Sequence, residues 1–107
     1  MVTENLIKQV KRKLNITWDD PETNARVEDI INSAIPTLTH KLGITDAFYD
    51  FSIAGAENTL FLAYCLYEWN HATNEFDVNY HNEIAQIRAK YEVAYYLANN
   101  ESEGDDE

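Results

Sequence analysis

Glycine and proline are scarce in this chain, and that scarcity limits the folds open to it. Of the 107 residues, three are glycine and two are proline. The many tight turns of an antiparallel sheet depend on such residues, because glycine reaches positive φ values and proline presets a turn. The sequence therefore predicts an all-α protein, a small bundle of about four helices.

The length and composition indicate one folded domain. At 107 residues with 45% hydrophobic side chains, the chain can bury a single core but not two. The last seven residues contain five acids and no base. We predict one helical domain over residues 1–99 and a disordered acidic tail over residues 100–107.

Local start and stop signals divide the domain. The first helix is predicted from the N-cap Thr3 to about residue 14. The second begins at Pro21 after the N-cap Asp20 and ends before Gly43, a left-handed C-cap. Pro36 lies inside this helix, so we expect a kink or a short break in its last two turns.

The second half of the chain begins with a segment that lacks helical periodicity. Residues 44–56 are predicted to form an irregular loop or one short hairpin. A third helix follows over residues 56–72, then a turn at 74–77, then a fourth helix from the N-cap Asp77 to about residue 99. The inward stripe of this fourth helix is predicted to be Tyr80, Ile84, Ile87, Tyr91, Ala94 and Ala98.

The third helix is apolar on nearly every side. Its run over residues 60–67 is buried either within its own domain or against another subunit, and is far shorter than the roughly twenty residues of a membrane span. The first residues show no apolar export signal, and Cys65 has no cysteine to pair with. We expect a soluble protein that is not exported, in a reducing compartment.

No set of residues supports catalysis or metal binding. Glu68 and His71 have the Glu-x-x-His spacing of di-iron bundles, but the motif occurs once where two are needed, and a solvated Glu beside a helix-end His explains it. Asp77 and Glu83 lack the spacing and the glycine of a calcium loop. The remaining candidates are expected to be core, surface or capping residues: Asp19, Asp20, His40, Cys65 and His81. We predict no catalytic, cofactor-binding or metal site.

Half of the basic residues lie on one face of the first helix. The chain has a net charge of −11, of which residues 1–100 carry −6, so binding of nucleic acid over the whole surface is disfavoured. Against this background the basic residues are an ordinary solvated face, or a patch that meets nucleic acid or an acidic partner, and another copy of the chain is the natural acidic partner. The predicted subunit-contact residues are Lys8, Lys11, Arg12 and Lys13.

Aromatic residues crowd the end of the fourth helix. Tyr95, Tyr96 and Leu97 are consecutive and point in three directions, which one intramolecular core cannot satisfy. They are either a frayed end or an anchor for a partner, since tyrosine offers a large contact area for little lost entropy.

Two stretches resemble a known family. Residues 10–20, VKRKLNITWDD, together with the acidic and apolar positions up to residue 31, resemble the opening of the head-tail connector proteins of tailed double-stranded DNA bacteriophages. Residues 60–70, LFLAYCLYEWN, resemble the central helix of that family. The resemblance covers roughly residues 4–98.

The resemblance implies a structural, non-enzymatic protein of a phage or prophage. Such a protein is an adaptor that forms a ring, of twelve copies in the particle, between the portal protein and the next head-completion or tail protein. It would be found in the host cytoplasm during assembly and in the virion neck afterwards. The resemblance also implies that the C-terminal segment docks on the portal, through Tyr91, Tyr95, Tyr96 and Leu97.

Charge and symmetry lead to two further expectations about the ring. An acidic channel wall repels the duplex, so DNA is expected to pass through the ring without specific binding. Weak charge-based contacts strengthen on a symmetric template, so the free protein is expected to be a monomer and the bound protein a ring.

Two other functions are possible for a small acidic helical protein, and the sequence fits each of them less well. A small acidic regulatory or inhibitory protein that mimics DNA is the alternative hypothesis, but the second and fourth helices carry mixed charges, not a continuous acidic stripe. A helical metalloenzyme lacks the ligands.

Overall fold

The structure, a computed structural model, describes the backbone of residues 2–105 and the side chains of residues 2–98. Its five helices are α1 (Glu4–Lys13), α2 (Pro21–Lys41), α3 (Ala56–Trp69), α4 (Thr73–Asn79) and α5 (His81–Asp105). No strand occurs within residues 2–105, so the all-α prediction is confirmed and residues 44–55 form an irregular loop, not a hairpin. The predicted disordered tail spans residues 100–107. The backbone of residues 100–105 belongs to the last turns of α5, whereas their side chains, and residues 106 and 107, lie outside the described residues.

The predicted starts of the first two helices are confirmed by their hydrogen bonds. Thr3 Oγ1 accepts a bond of 3.1 Å from the backbone N–H of Leu6, and Asp20 Oδ2 accepts one of 3.1 Å from that of Thr23. Each bond satisfies a backbone donor that the first turn of a helix leaves without a partner. Pro21 opens α2, where its missing N–H is not needed.

The C-terminal end of α2 confirms the role predicted for Gly43. Its φ of 68° is left-handed, and its N–H donates to His40 O at 3.2 Å, while the N–H of Ile44 donates to Thr39 O at 3.0 Å. These two bonds form a Schellman motif, in which glycine adopts positive φ without steric strain. Asn15 ends α1 in the same way, with a φ of 59°.

α2 continues past Pro36 without the short break that the sequence predicts. Pro36 removes one backbone bond to Asn32, but both residues are exposed, so water can hydrate the freed carbonyl. The side chain of Thr37 donates to Ser33 O at 2.9 Å and gives this turn an additional bond. Exposure on this face is why the proline is tolerated.

The second half of the chain forms two helices where the sequence predicts a turn and one helix. Residues 74–77, the predicted turn, belong to α4, and α5 begins only after Tyr80. Asp77 is therefore not an N-cap; it accepts from Lys41 at 2.9 Å. Helical structure here places Phe76 in the core, fully buried and edge-on to Tyr64 with ring centroids 5.1 Å apart. The free energy gained by burying the Phe76 ring outweighs the weak helix propensity of residues 74–77.

α3 occupies the centre of the molecule and packs against each of the other four helices. Leu60, Phe61, Ala63, Tyr64 and Cys65 are buried, so the apolar run is covered by its own domain. Burial raises the pKa of the Cys65 thiol to about 12, which keeps it protonated and unreactive at neutral pH. None of the described helices has the length and apolarity needed to cross a bilayer.

A buried ring and an amide network fasten the irregular loop to the bundle. Phe51 is 1% exposed and stacks on Phe61 with centroids 4.7 Å apart. Asn58 Nδ2 donates to Phe51 O at 2.7 Å and to Gln9 Oε1 at 2.8 Å, and Gln9 Nε2 donates to Ser52 O at 3.0 Å. α1, the loop and the start of α3 are joined at this point.

This packing predicts different effects for two nearby phenylalanines. Phe51→Ala is expected to lower the free energy of unfolding by about 3–5 kcal/mol, because it leaves a cavity beside Phe61. Phe48→Ala serves as the control, since Phe48 is 80% exposed, and is expected to change that free energy by less than about 0.5 kcal/mol. Urea denaturation of both variants measures the difference; equal effects would contradict the assigned anchor.

Candidate interaction surfaces

The first candidate surface is the solvent face of α1. Leu6 and Val10 turn one side of this helix into the core, which leaves the basic residues outside. Lys8, Arg12 and Lys13 are exposed, and we call them the α1 basic surface. Lys8 lies 3.9 Å from Glu4, with both side chains largely in water, and such a pair contributes little.

Lys11, the fourth predicted contact residue, has a partner within the chain. Its Nζ donates to Asn24 Oδ1 at 2.7 Å, and Asn24 Nδ2 donates to Asp19 Oδ1 at 2.7 Å. This series ties α1 to the start of α2. The structure therefore brings the four predicted residues onto one helix, but leaves three of them facing solvent without such a bond.

The other cations are held by the fold. Arg88 Nη1 donates to the backbone oxygens of His40 and Lys41 at 3.0 and 2.9 Å, where it satisfies two carbonyls at the end of α2. Arg26 lies 4.0 Å above the Trp69 ring and donates to its carbonyl at 2.7 Å. Lys41 pairs with Asp77, and Lys90 with Glu57. Because these basic side chains are bonded within the fold, the remaining positive charge of the described residues is concentrated on the α1 basic surface.

A groove runs along each side of the α1 basic surface. One groove, of about 430 Å³, lies between α1 and α3 and is lined by Gln9, Arg12, Lys13, Asn58 and Leu62. The other, of about 400 Å³, is lined by Lys8, Lys11, Arg12, Asn15, Ile16 and Thr17. Both combine positive charge with some apolar lining, which suits an acidic polypeptide segment.

The second candidate surface is the far part of α5. This helix has 25 residues, which corresponds to about 37 Å, and the molecule measures 60 × 28 × 19 Å. Every residue from 92 to 98 is exposed, so Ala94 and Ala98 do not continue the predicted inward stripe. The stripe ends at Tyr91 because the helix is longer than the body against which it packs.

Large apolar side chains lie exposed on that projecting part. Val93, Tyr95, Tyr96 and Leu97 are 57%, 61%, 63% and 55% exposed, and we call them the α5 apolar end. On the side of α5 that faces away from the body, Ala85, Ala89, Val93 and Tyr96 follow at helical spacing without a charged residue among them. An exposed helix face without charge is typical of a surface that a partner covers.

Tyr91 does not belong to this exposed group; it anchors α5 to the body. Its hydroxyl donates to Glu57 Oε2 at 2.5 Å, and Lys90 Nζ donates to the same oxygen at 2.6 Å. Glu57 is 7% exposed. Burial alone would raise the pKa of Glu57, but the bonds from Lys90 and Tyr91 outweigh it and hold that pKa below its usual value.

Sequence reasoning missed Glu57 altogether. Its partners lie 33 and 34 residues away, and nothing in the local pattern distinguishes it from an ordinary acid in a first helical turn. Only the crossing of α3 and α5 brings the three side chains together.

Glu68 and His71, which have the Glu-x-x-His spacing of a di-iron motif, do not share a helix face. His71 follows the end of α3 with a left-handed φ of 57°. Glu68 is half-buried, not solvated as predicted: burial raises its pKa, and its Oε2 has no partner among the described side chains. Within residues 2–98 no group of three or more His, Cys, Asp or Glu side chains is placed to hold a metal ion.

Comparisons of this chain with known protein families, with curated proteins and with solved structures find no match.

The anchor on α5 makes a prediction about stability and pH. Glu57→Gln is expected to lower the free energy of unfolding at pH 7 by about 1–3 kcal/mol, because it removes a charged acceptor of two hydrogen bonds. The folded-state pKa of Glu57 is lowered, so its stabilisation is complete above the unfolded value of about 4.3 and is lost as pH falls through the folded value.

Urea denaturation of wild type and variant at pH 7 and at pH 3 measures this difference. The difference in stability between the two proteins is expected to be smaller at the lower pH. Glu83→Gln is the matched control, since Glu83 is an exposed acid on α5, and it is expected to behave like wild type at both pH values. A gap that persists unchanged at pH 3 would contradict the assignment.

Proposed function

We propose that this protein is a structural virion component of a tailed phage or prophage, a non-enzymatic adaptor that forms a ring between the portal and the next head-completion or tail protein. The observation that carries the proposal is the α5 apolar end: a helix anchored at Tyr91 that leaves its own body and exposes Val93, Tyr95, Tyr96 and Leu97. The resemblance of residues 10–20 and 60–70 to head-tail connectors supports the same function.

The α5 apolar end suits docking in a groove of the portal protein. An amphipathic helix binds such a groove through apolar residues spaced by three, four or seven positions. Val93, Tyr96 and Leu97 have this spacing, and their exposed area is available without any change in the fold. The anchor of Tyr91 to Glu57 fixes the direction in which the helix leaves the body, so less entropy is lost on docking.

The α1 basic surface suits contact between neighbouring copies. A contact between two different surfaces of one chain repeats around a closed ring or along a filament. Because each contact is weak and charge-based, a symmetric portal that holds the copies side by side raises their effective concentration and completes the ring. The acidic residues within the described part of the chain would then form a channel wall that repels the DNA duplex as it passes through the ring.

The distribution of charge on α5 disfavours the alternative of an acidic DNA mimic. Between residues 81 and 98 this helix carries two acids, Glu83 and Glu92, and two bases, Arg88 and Lys90. A mimic of the phosphate backbone needs carboxylates in succession, and residues 81–98 have none.

Co-purification with the portal protein encoded in the same phage genome tests the proposal. The wild-type protein is expected to bind the portal in a ring with the symmetry of the portal, visible by electron microscopy. Tyr96→Ser with Leu97→Ser is expected to weaken binding at least tenfold, since each truncated anchor loses about 1–2 kcal/mol or more.

Phe48→Ser with Val78→Ser is the matched control. Both residues are large, apolar and exposed, and both lie outside the α5 apolar end. The control is expected to bind like wild type. A wild-type protein that binds no portal, or equal loss of binding in both double variants, would overturn the proposal.

A further inference from the structure

Most of the basic side chains form hydrogen bonds within the fold, and the rest lie on one surface. Of the eight Lys and Arg residues of the chain, five make hydrogen bonds to side chains or backbone oxygens that join separate elements. The remaining three are Lys8, Arg12 and Lys13, which together form the α1 basic surface. The side chains of Arg12 and Lys13 make no hydrogen bond within residues 2–98.

The densest negative charge of the chain lies at the opposite end of the sequence. Residues 101–107 contain five acids, and no base follows Lys90. We call residues 101–107 the acidic segment. Like charges in such a run repel one another, so a cationic surface that binds the segment relieves the repulsion.

The α1 basic surface and the exposed end of α5 belong to helices that pack on different neighbours. α1 packs mainly against α2 and α3, whereas α5 packs against α3 and α4. From residue 92 onward the described part of α5 makes no buried contact with the body, and it runs directly toward residue 101. The part of α5 that leads to the acidic segment is thus exposed to solvent.

We propose that the α1 basic surface, with the groove between α1 and α3, binds the acidic segment of a second copy of this chain. Arg12 and Lys13 at the edge of the groove pair with carboxylates, and Leu62 at its wall contacts the methylene groups of glutamate side chains. Arg12 offers a planar fork for one carboxylate, and Lys13 a single mobile charge.

This inference deepens the proposed function and depends on it for the ring: it names the two surfaces that meet between neighbours. The contact is heterologous, because α1 of one copy receives the acidic segment of the next. It is also exposed to solvent, so it weakens as salt shortens the range of the electrostatic attraction.

Cross-linking between isotopically distinct copies tests the pairing directly. Equal amounts of ¹⁴N- and ¹⁵N-labelled wild-type protein are mixed at about 20 mM salt, where charges interact over about 20 Å. A carbodiimide then joins lysines to carboxylates in contact. We expect peptides that link Lys8 or Lys13 of one isotope to residues 101–107 of the other, and their loss at about 500 mM salt. Links within one isotope only, or none, would overturn the inference.

Charge variants provide the second measurement. In the surface variant, Lys8, Arg12 and Lys13 are all changed to Gln, and it is expected to self-associate less than wild type by sedimentation at low salt. The matched control changes Asn32→Asp, Asn74→Asp and Gln86→Glu at exposed positions outside the surface. It has the same net charge as the surface variant and is expected to self-associate like wild type.

An exchange of charges shows whether the two surfaces meet each other. A variant with Glu at positions 8, 12 and 13 and a variant with Lys at positions 101, 103 and 105 are each expected to self-associate less than wild type by sedimentation at low salt. Mixing the two variants is expected to restore association. Two variants that stay apart when mixed would contradict the pairing.

Failure of this inference is distinguishable from failure of the proposed function. If the acidic segment is neutralised and the protein still forms a complete ring on the portal, the function stands and the pairing is wrong. If wild-type copies cross-link as expected but bind no portal, the pairing stands and the function is wrong.

Discussion

Burial of α3 is the constraint on which the rest of the structure depends. Its apolar side chains cover so much of its circumference that the helix is stable only when other helices surround it, and α1, α2, α4 and α5 supply that cover. The loop before α3 closes the remaining side with Phe51 stacked on Phe61. In a chain of this length, surrounding one helix uses nearly all of the available apolar surface. Of the eight large apolar side chains that stay exposed within residues 2–98, four lie together on α5.

Polar contacts refine this arrangement and decide what remains on the surface. Glu57 holds α5 at Lys90 and Tyr91, and Arg88 holds it at the carboxyl end of α2. Beyond these contacts, every side chain from residue 92 to residue 98 is exposed. The same contacts bind cations, so the positive charge that is left lies on α1. One set of internal bonds thus produces both candidate surfaces, the projecting end of α5 and the α1 basic surface.

Much of the fold was predictable because its signals are local. Thr3, Asp20 with Pro21, and Gly43 mark helix ends through bonds that span at most five residues, and each acts as the sequence predicts. The errors arise where a distant contact outweighs the local pattern. Residues 74–77 form a helix because Phe76 fills the core beside Tyr64. Ala94 and Ala98 have the spacing of an inward stripe, but no body lies beneath them.

The sequence by itself determined that this protein is helical, where its first two helices begin and end, and that basic and aromatic residues cluster at α1 and at the end of α5. Those properties depend on residue type and short spacings. Only the tertiary structure decided that Lys11 is bound by Asn24 while Arg12 and Lys13 face solvent, and that Tyr91 is an anchor and Tyr96 is exposed. Such distinctions arise between groups far apart in the chain, and the crossing of helices, not their composition, brings those groups together.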